Sequence, residues 1–372
     1  MELRSRIAEE IRHRGPIPFS RYMELCLYHP ELGYYNRARE QFGKSGDFYT
    51  SSDVHAVFGR LVARQFDEMW RVLGAPVRMT LLELGPGRGW FAQDVLDWAQ
   101  KKFPDFLDAV EYVLVERSPA LRLQLEERFA GRQDKITIAG SLEEWTRTPE
   151  NMIVFGNEFF DALPVEIMAA EGELCVGMEG NRFAETFVAP SSKSLEFLDL
   201  YGVHPRPGER SEAALAGSDY MRQVAARVQR GFVVAIDYGY TREELLAGRS
   251  GNTVRAFRRH TLSPTPYEAP GEQDITASVN FTALRAAALE AGMEAGDIVT
   301  QAQFLVGIGE TNQFADAVEN ARLPQERTKI ALQLKHLITP SGMGEIFQTL
   351  VLRRGVEREK ALTLSGLRYA RR

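Results

Sequence analysis

Cysteine is nearly absent from these 372 residues, with only Cys26 and Cys175 far apart in the chain. Two such thiols form neither a disulfide framework nor a metal-ligand spacing, so a reducing compartment and no metal are expected. Long apolar runs are lacking too. No stretch approaches the ~18 consecutive apolar residues of a membrane-crossing helix, which speaks against membrane insertion. Residues 1–14 interleave Glu2, Glu9 and Glu10 with short apolar residues. That pattern reads as an amphipathic helix, not a signal or transit peptide, and the expected location is cytoplasmic. A basic excess is also missing: 45 Lys and Arg stand against 51 Asp and Glu, a net charge of −6. Arg258-Arg259-His260 and Arg371-Arg372 are small clusters of the kind found on solvated surfaces, so no nucleic-acid partner is expected. There is no fixed-period repeat and no low-complexity tract. What remains is an ordinary globular composition, 44% hydrophobic and 26% charged, long enough for about two to three domains. Nothing in it indicates an oligomeric state.

The apolar spacing then orders the chain. Residues 54–73 repeat at helical intervals and are stopped by Gly74 and Pro76. From Met79 to Leu84 the run is compact and closed by Gly85, as in a strand buried on both faces. Further short apolar runs at 112–115, 135–139, 152–155 and 232–236 alternate with helical spacing, which argues for βαβ units and a parallel sheet. The gap between the last two runs far exceeds a normal return. Residues 164–215 are therefore read as an insertion, with small antiparallel strands at 165–169, 174–178 and 182–187. A helix is expected over 212–229, an irregular stretch over 240–280, a helix over 281–291 and a last strand over 346–352.

Chemistry concentrates where those strands end. Glu83-Leu84-Gly85-Pro86-Gly87-Arg88-Gly89 closes the first strand and opens a helix. Glycines there let the backbone turn sharply and approach a ligand, and the helix N-terminus offers unpaired N–H groups. Trp90 occupies the position a dinucleotide fingerprint would need for glycine. Glu83, two residues before the first glycine, would repel a pyrophosphate and attract an ammonium. A zwitterionic ligand is favoured over a dinucleotide. Glu116 ends the second strand, where a carboxylate can accept both hydroxyls of a ribose. Ser141 and Leu142 follow the third strand, either as an edge of an adenine pocket or as ordinary structure. Asn157 and Glu158 end the fourth, followed by Phe159-Phe160-Asp161-Ala162-Leu163-Pro164; they either orient an acceptor or cap a helix. Asp237 ends the fifth, as a base, an acceptor anchor or a turn cap.

These residues, with Pro18-Phe19-Ser20-Arg21-Tyr22-Met23, Gly33-Tyr34-Tyr35, Gly46-Asp47-Phe48-Tyr49-Thr50 and Asp274-Ile275-Thr276, resemble the MidA family over nearly the whole chain. The run from Asn157 to Pro164 is the specific part. The resemblance implies an α/β, Rossmann-like class I methyltransferase that uses S-adenosyl-L-methionine. Its sheet would be mostly parallel and seven-stranded, carrying an N-terminal helical extension (1–75) and an inserted, substrate-covering β-rich cap (164–215) on a core of 76–163 and 216–372. Carried over by position, it assigns Gly85, Gly87 and Glu116 to the cofactor and Asn157 and Glu158 to the methyl acceptor; the strand-end reading adds Glu83, Ser141, Leu142 and Asn157 to the expected cofactor site and Asp237 to the acceptor site. The family's mitochondrial member methylates arginine in a subunit of respiratory complex I, so a protein substrate is expected. A small-molecule hydroxyl acceptor and a non-catalytic assembly factor are the alternatives. Ser51-Ser52-Asp53 and Gln348 depart from the residues common in the family.

Overall fold

The computed structural model describes residues 2–37, 56–258, 261–294, 298–319 and 321–370, so Gly46–Thr50 and Ser51–Asp53 lie outside it. Seven strands make the main sheet: β1 (Met79–Leu84), β2 (Val110–Val115), β3 (Ile136–Ala139), β4 (Asn151–Asn157), β5 (Arg230–Tyr240), β6 (Ile298–Thr300) and β7 (Phe347–Arg354). Their spatial order is β3-β2-β1-β4-β5-β7-β6. The pairs from β3 to β5 are parallel, and β7 runs antiparallel to both of its neighbours. A two-residue strand, Val279–Asn280, adds to the end of β5. The chain steps outward from β1 to β3 and then returns to place β4 against β1. That reversal opens a crevice beyond the carboxyl ends of β1 and β4, the place where open α/β sheets bind ligands.

The alternation of the pleat explains why these strands read as unbroken apolar runs. Leu81, Tyr112, Ile153, Phe155, Phe232 and Val234 face one side, against the helices Ala56–Val72, Trp90–Lys102 and Gln301–Glu310. Leu82, Leu84, Val113, Val154 and Val233 face the other, against Leu215–Arg227 and Phe281–Glu290. Both faces are covered, so apolar residues dominate at both parities.

A separate apolar core joins three distant pieces of chain. Ile7, Phe19 and Tyr22 pack with Val165, Leu174 and Phe183 and with Ala256 and Ile275. Ile17–Pro18 pairs directly with Gly172–Glu179. The stretch 1–75 thus divides between two cores: its first helices join the inserted sheet, and Ala56–Val72 covers the main sheet.

Three local expectations need correction. Where a helix was expected from 212, Arg210–Ala213 is a strand antiparallel to Glu166–Ala169, and the helix spans Leu215–Arg227. The run of alanines around 213–214 disguises that boundary, while Glu212 is buried and accepts the N–H and hydroxyl of Thr253. Residues 164–215 are not only β-structure: Ser192–Tyr201 is a helix, and the Ser191 hydroxyl accepts the Ser194 N–H at its start. The irregular stretch 240–280 contains a small sheet in which Arg255–Arg258 lies between Thr261–Ser263 and Asp274–Thr276.

Candidate active site

The crevice between β1 and β4 widens into a cavity of about 770 Å³, within the range of small-molecule sites. Its floor is the glycine turn. Gly85, Gly87 and Gly89 all have positive φ, at 60°, 55° and 76°, which favours glycine over any residue with a Cβ. At Gly87 a Cβ would meet nothing within 4 Å and would project into open space, whereas at Gly85 it would come within 2.9 Å of the Phe159 ring. The turn therefore keeps one backbone face bare toward the cavity. Trp90 begins the next helix, lines the cavity, and lies under the Arg128 guanidinium at 3.6 Å.

Glu116 stands opposite, just past β2, with its own N–H bonded to Ala139 O at 2.9 Å. Its Oε1 accepts the Ser118 N–H at 2.8 Å, and its Oε2 accepts the Gly87 N–H at 3.2 Å. Each carboxylate oxygen keeps a further lone-pair direction, which suits a pair of hydroxyl donors. Burial pushes the Glu116 carboxyl up to about 7, and the two N–H donors work against that rise. The bare glycine turn and this carboxylate fit the ribose and amino-acid ends of S-adenosylmethionine. Gly140 and Ser141 add an edge to the same cavity.

Beyond β4 the chain turns through Glu158 at φ 49°, an unusual conformation for a residue with a side chain. The Glu158 N–H bonds Ile236 O at 2.9 Å and Asn157 Nδ2 donates to its Oε1 at 3.2 Å. The sequence left a capping role open for both Glu158 and Asp237. Asp237 takes it: Oδ2 accepts the N–H groups of Phe159, Phe160 and Asp161 at 3.1, 3.0 and 3.3 Å, and Oδ1 accepts that of Tyr238 at 2.9 Å. Asp237 is fully buried beneath the loop, while Asn157 and Glu158 line the cavity.

The cavity thus gathers Gly85, Gly87, Glu116, Ser141, Asn157 and Glu158, but not Glu83, Leu142 or Asp237. Glu83 points into the β1 face of the core, accepts the Tyr112 hydroxyl at 2.7 Å and is raised by burial to about 8. Strand parity sends it there, away from the residues that line the cavity. Leu142 is core, at 1% exposure.

Two contributions escaped the sequence reading. Asp161 lines the cavity with 5% exposure; Oδ2 accepts the Tyr238 hydroxyl at 2.7 Å, and Oδ1 is buried without a hydrogen-bond partner. Burial raises this carboxyl to about 6. Its place in the Asn157–Pro164 run was the available signal. The N-terminal extension supplies the roof: Tyr28 donates to Ala162 O at 2.9 Å, Tyr35 to Asp274 Oδ1 at 3.0 Å, and Ser118 Oγ to Tyr35 O at 2.8 Å. No local spacing announces those contacts.

Sheet order, the glycine turn and the cavity-facing carboxylate after β2 define a class I S-adenosylmethionine-binding fold. A family model described as an S-adenosyl-L-methionine-dependent methyltransferase matches residues 61–299, and the chain belongs to that family. It is 31% identical to the mitochondrial protein arginine methyltransferase NDUFAF7 homolog of Drosophila melanogaster, over 95% of this chain and 85% of that one. The human mitochondrial protein arginine methyltransferase NDUFAF7 is 28% identical over 92% and 81%. The crystal structure of a Burkholderia thailandensis protein bound to S-adenosyl-homocysteine is similar at a TM-score of 0.83 and 28% identity. It covers all of this chain, and this chain 95% of it. The protein is an S-adenosylmethionine-dependent methyltransferase.

Proposed function

We propose that this methyltransferase modifies an arginine nitrogen of a protein. The carrying observation is the strained Glu158 at the end of β4. Because Asp237 satisfies the loop N–H groups, Glu158 is left to face the cavity that also holds the glycine turn. Backbone strain of this kind persists where the surroundings enforce it, commonly at functional sites. The arginine methyltransferases among the relatives support the same acceptor.

The cofactor supplies a methyl group on a positively charged sulfur. The acceptor nitrogen forms the new N–C bond as the S–C bond breaks, its electron pair stays on sulfur, and the acceptor loses a proton. Guanidinium is protonated in water and carries five N–H donors in a planar fork. Glu158 would draw that cation in, orient one nitrogen by paired hydrogen bonds and relay its proton. Asp161, three residues on, adds a second carboxylate to the same loop, and its unpartnered Oδ1 has capacity for a donor. Positioning is the larger part of catalysis in such an in-line displacement. A location in a reducing compartment suits the two buried, unpaired cysteines.

Glu158→Gln should keep affinity for S-adenosylhomocysteine and lower kcat by about 100-fold or more, the range typical of a lost proton-transfer group. Mass spectrometry of proteins treated with isotopically labelled cofactor reads the acceptor. Label on arginine is expected; label on a hydroxyl alone would overturn the reading.

A further inference from the structure

Glu158 lines a second cavity, of about 530 Å³, as well as the first. It lies over the ends of β5 and β7, on the far side of β4 from the glycine turn, with Tyr238 and Phe347 in its wall at a ring separation of 5.6 Å. In-line displacement requires the incoming nitrogen to approach the methyl group from the side opposite the departing sulfur. A methyl donor held on the glycine turn and an acceptor held beyond β4 would meet at Glu158, the residue the two cavities share.

The second cavity is lined by chemically distinct groups. Half-buried Glu158 is the residue it shares with the first cavity. Tyr238, Phe257, Phe347 and Met343 supply apolar and aromatic wall, which suits the methylenes and flat guanidinium of an arginine side chain. Part of its wall is cationic. Arg255 is exposed and donates to the carbonyls of its own turn, Asn252 O at 3.3 Å and Val254 O at 2.8 Å, with no ion pair among the described residues. Arg249 lies on the same wall, 37% exposed and paired with Glu244 at 3.3 Å. A carboxylate and guanidinium groups in one lining complement a ligand that is cationic at its tip and anionic beside its stem.

We propose that this second cavity is the acceptor channel, taking an arginine side chain from a protein segment in which an acidic residue neighbours that arginine. Arg255 and Arg249 would hold the acidic neighbour. The assignment rests on the arginine reading above and adds the route of entry and the sequence preference.

The test uses the full chain saturated with S-adenosylhomocysteine and two probes, the acetylated and amidated tripeptides Asp-Arg-Asp and Lys-Arg-Lys, titrated by ligand-observed NMR. The acidic probe should bind about fivefold tighter or more, a modest effect because the ion pairs are partly exposed. Arg255→Glu should abolish or invert that preference without changing S-adenosylhomocysteine affinity, and Arg255→Ala should fall between. Because Arg255 is exposed, neither change should threaten folding. Equal binding, no binding of either probe, or a preference untouched by Arg255→Glu overturns the channel. Labelled arginine in the product assay alongside such a result would spare the arginine reading and remove only the channel. Label confined to a hydroxyl would remove both.

Discussion

At Gly87 the left-handed backbone and the open space beside it have different consequences for substitution. A side chain there costs about 1–2 kcal/mol of backbone strain and also occupies ground the cofactor needs. Gly87→Val should therefore lower S-adenosylhomocysteine affinity by about 100-fold or more while the melting temperature falls by only a few degrees, both measurable on one purified sample. Gly85→Val is a less clean probe, because its Cβ would displace Phe159 and disturb the loop that carries Glu158. The buried carboxyls make a further residue-scale prediction. Burial raises Glu116 from 4.5 to about 7, so its contribution to stability is complete below about pH 4.5 and is lost as pH rises through about 7. Ribose hydroxyls donating to the carboxylate favour its charged form. Binding of S-adenosylhomocysteine near pH 7 should thus release protons, seen as a calorimetric enthalpy that varies with the ionisation enthalpy of the buffer. The thermal stabilisation by ligand should also grow between about pH 6 and pH 8. An enthalpy independent of buffer would separate Glu116 from the ribose.

The loop after β4 shows how one element is aimed by another. Its three successive N–H groups converge on a single oxygen of Asp237, a residue of β5, and Tyr238 beside it donates to Asp161. Asp237→Ala would leave those buried donors unsatisfied and should destabilise the protein by about 3 kcal/mol or more, read by chemical denaturation. Asp237→Asn keeps one acceptor oxygen and should cost less stability. Any loss of turnover it causes would come through a displaced Glu158, with cofactor affinity retained. The same β5 end explains why the strand outruns its expected length. The apolar run stops at Ile236, but the backbone ladder continues to Tyr238 opposite Phe347 and then to Tyr240 opposite Asn280.

On the scale of the molecule, the helices Leu3–Arg14 and Phe19–Tyr28 hold the inserted sheet in place. Phe19 and Tyr22 are fully buried against residues of the insertion, and the Tyr22 hydroxyl donates to Pro266 O at 2.9 Å. Deleting residues 2–32 would expose that shared core and remove Tyr28 from the cavity roof. The truncated protein should aggregate or melt in more than one transition, monitored by size exclusion and thermal unfolding. A soluble, cooperatively folding truncation would show that the main sheet stands without its roof.

Local chemistry was enough to place β1 to β5, because strands covered on both faces are dominated by apolar residues and the glycine turn must follow the first of them. The same logic reached Glu116, Asn157 and Glu158, whose positions at strand ends are readable one strand at a time. The division of labour between Glu158 and Asp237 was not readable, since either carboxylate at a strand end can cap or catalyse. Only the packing of β5 against β4 brings Asp237 under the loop and leaves Glu158 above it. Glu83 left the cavity and Asp161 joined it for a similar reason: strand parity turned one into the core, and a short 3-10 turn at Phe160–Ala162 brought the other to the cavity. The roof from Tyr28 and Tyr35 and the pairing of Ile17–Pro18 with the insertion join residues more than a hundred positions apart. Sequence periodicity reports which face of an element is apolar. Which distant face it meets is settled only when the whole chain closes its cores.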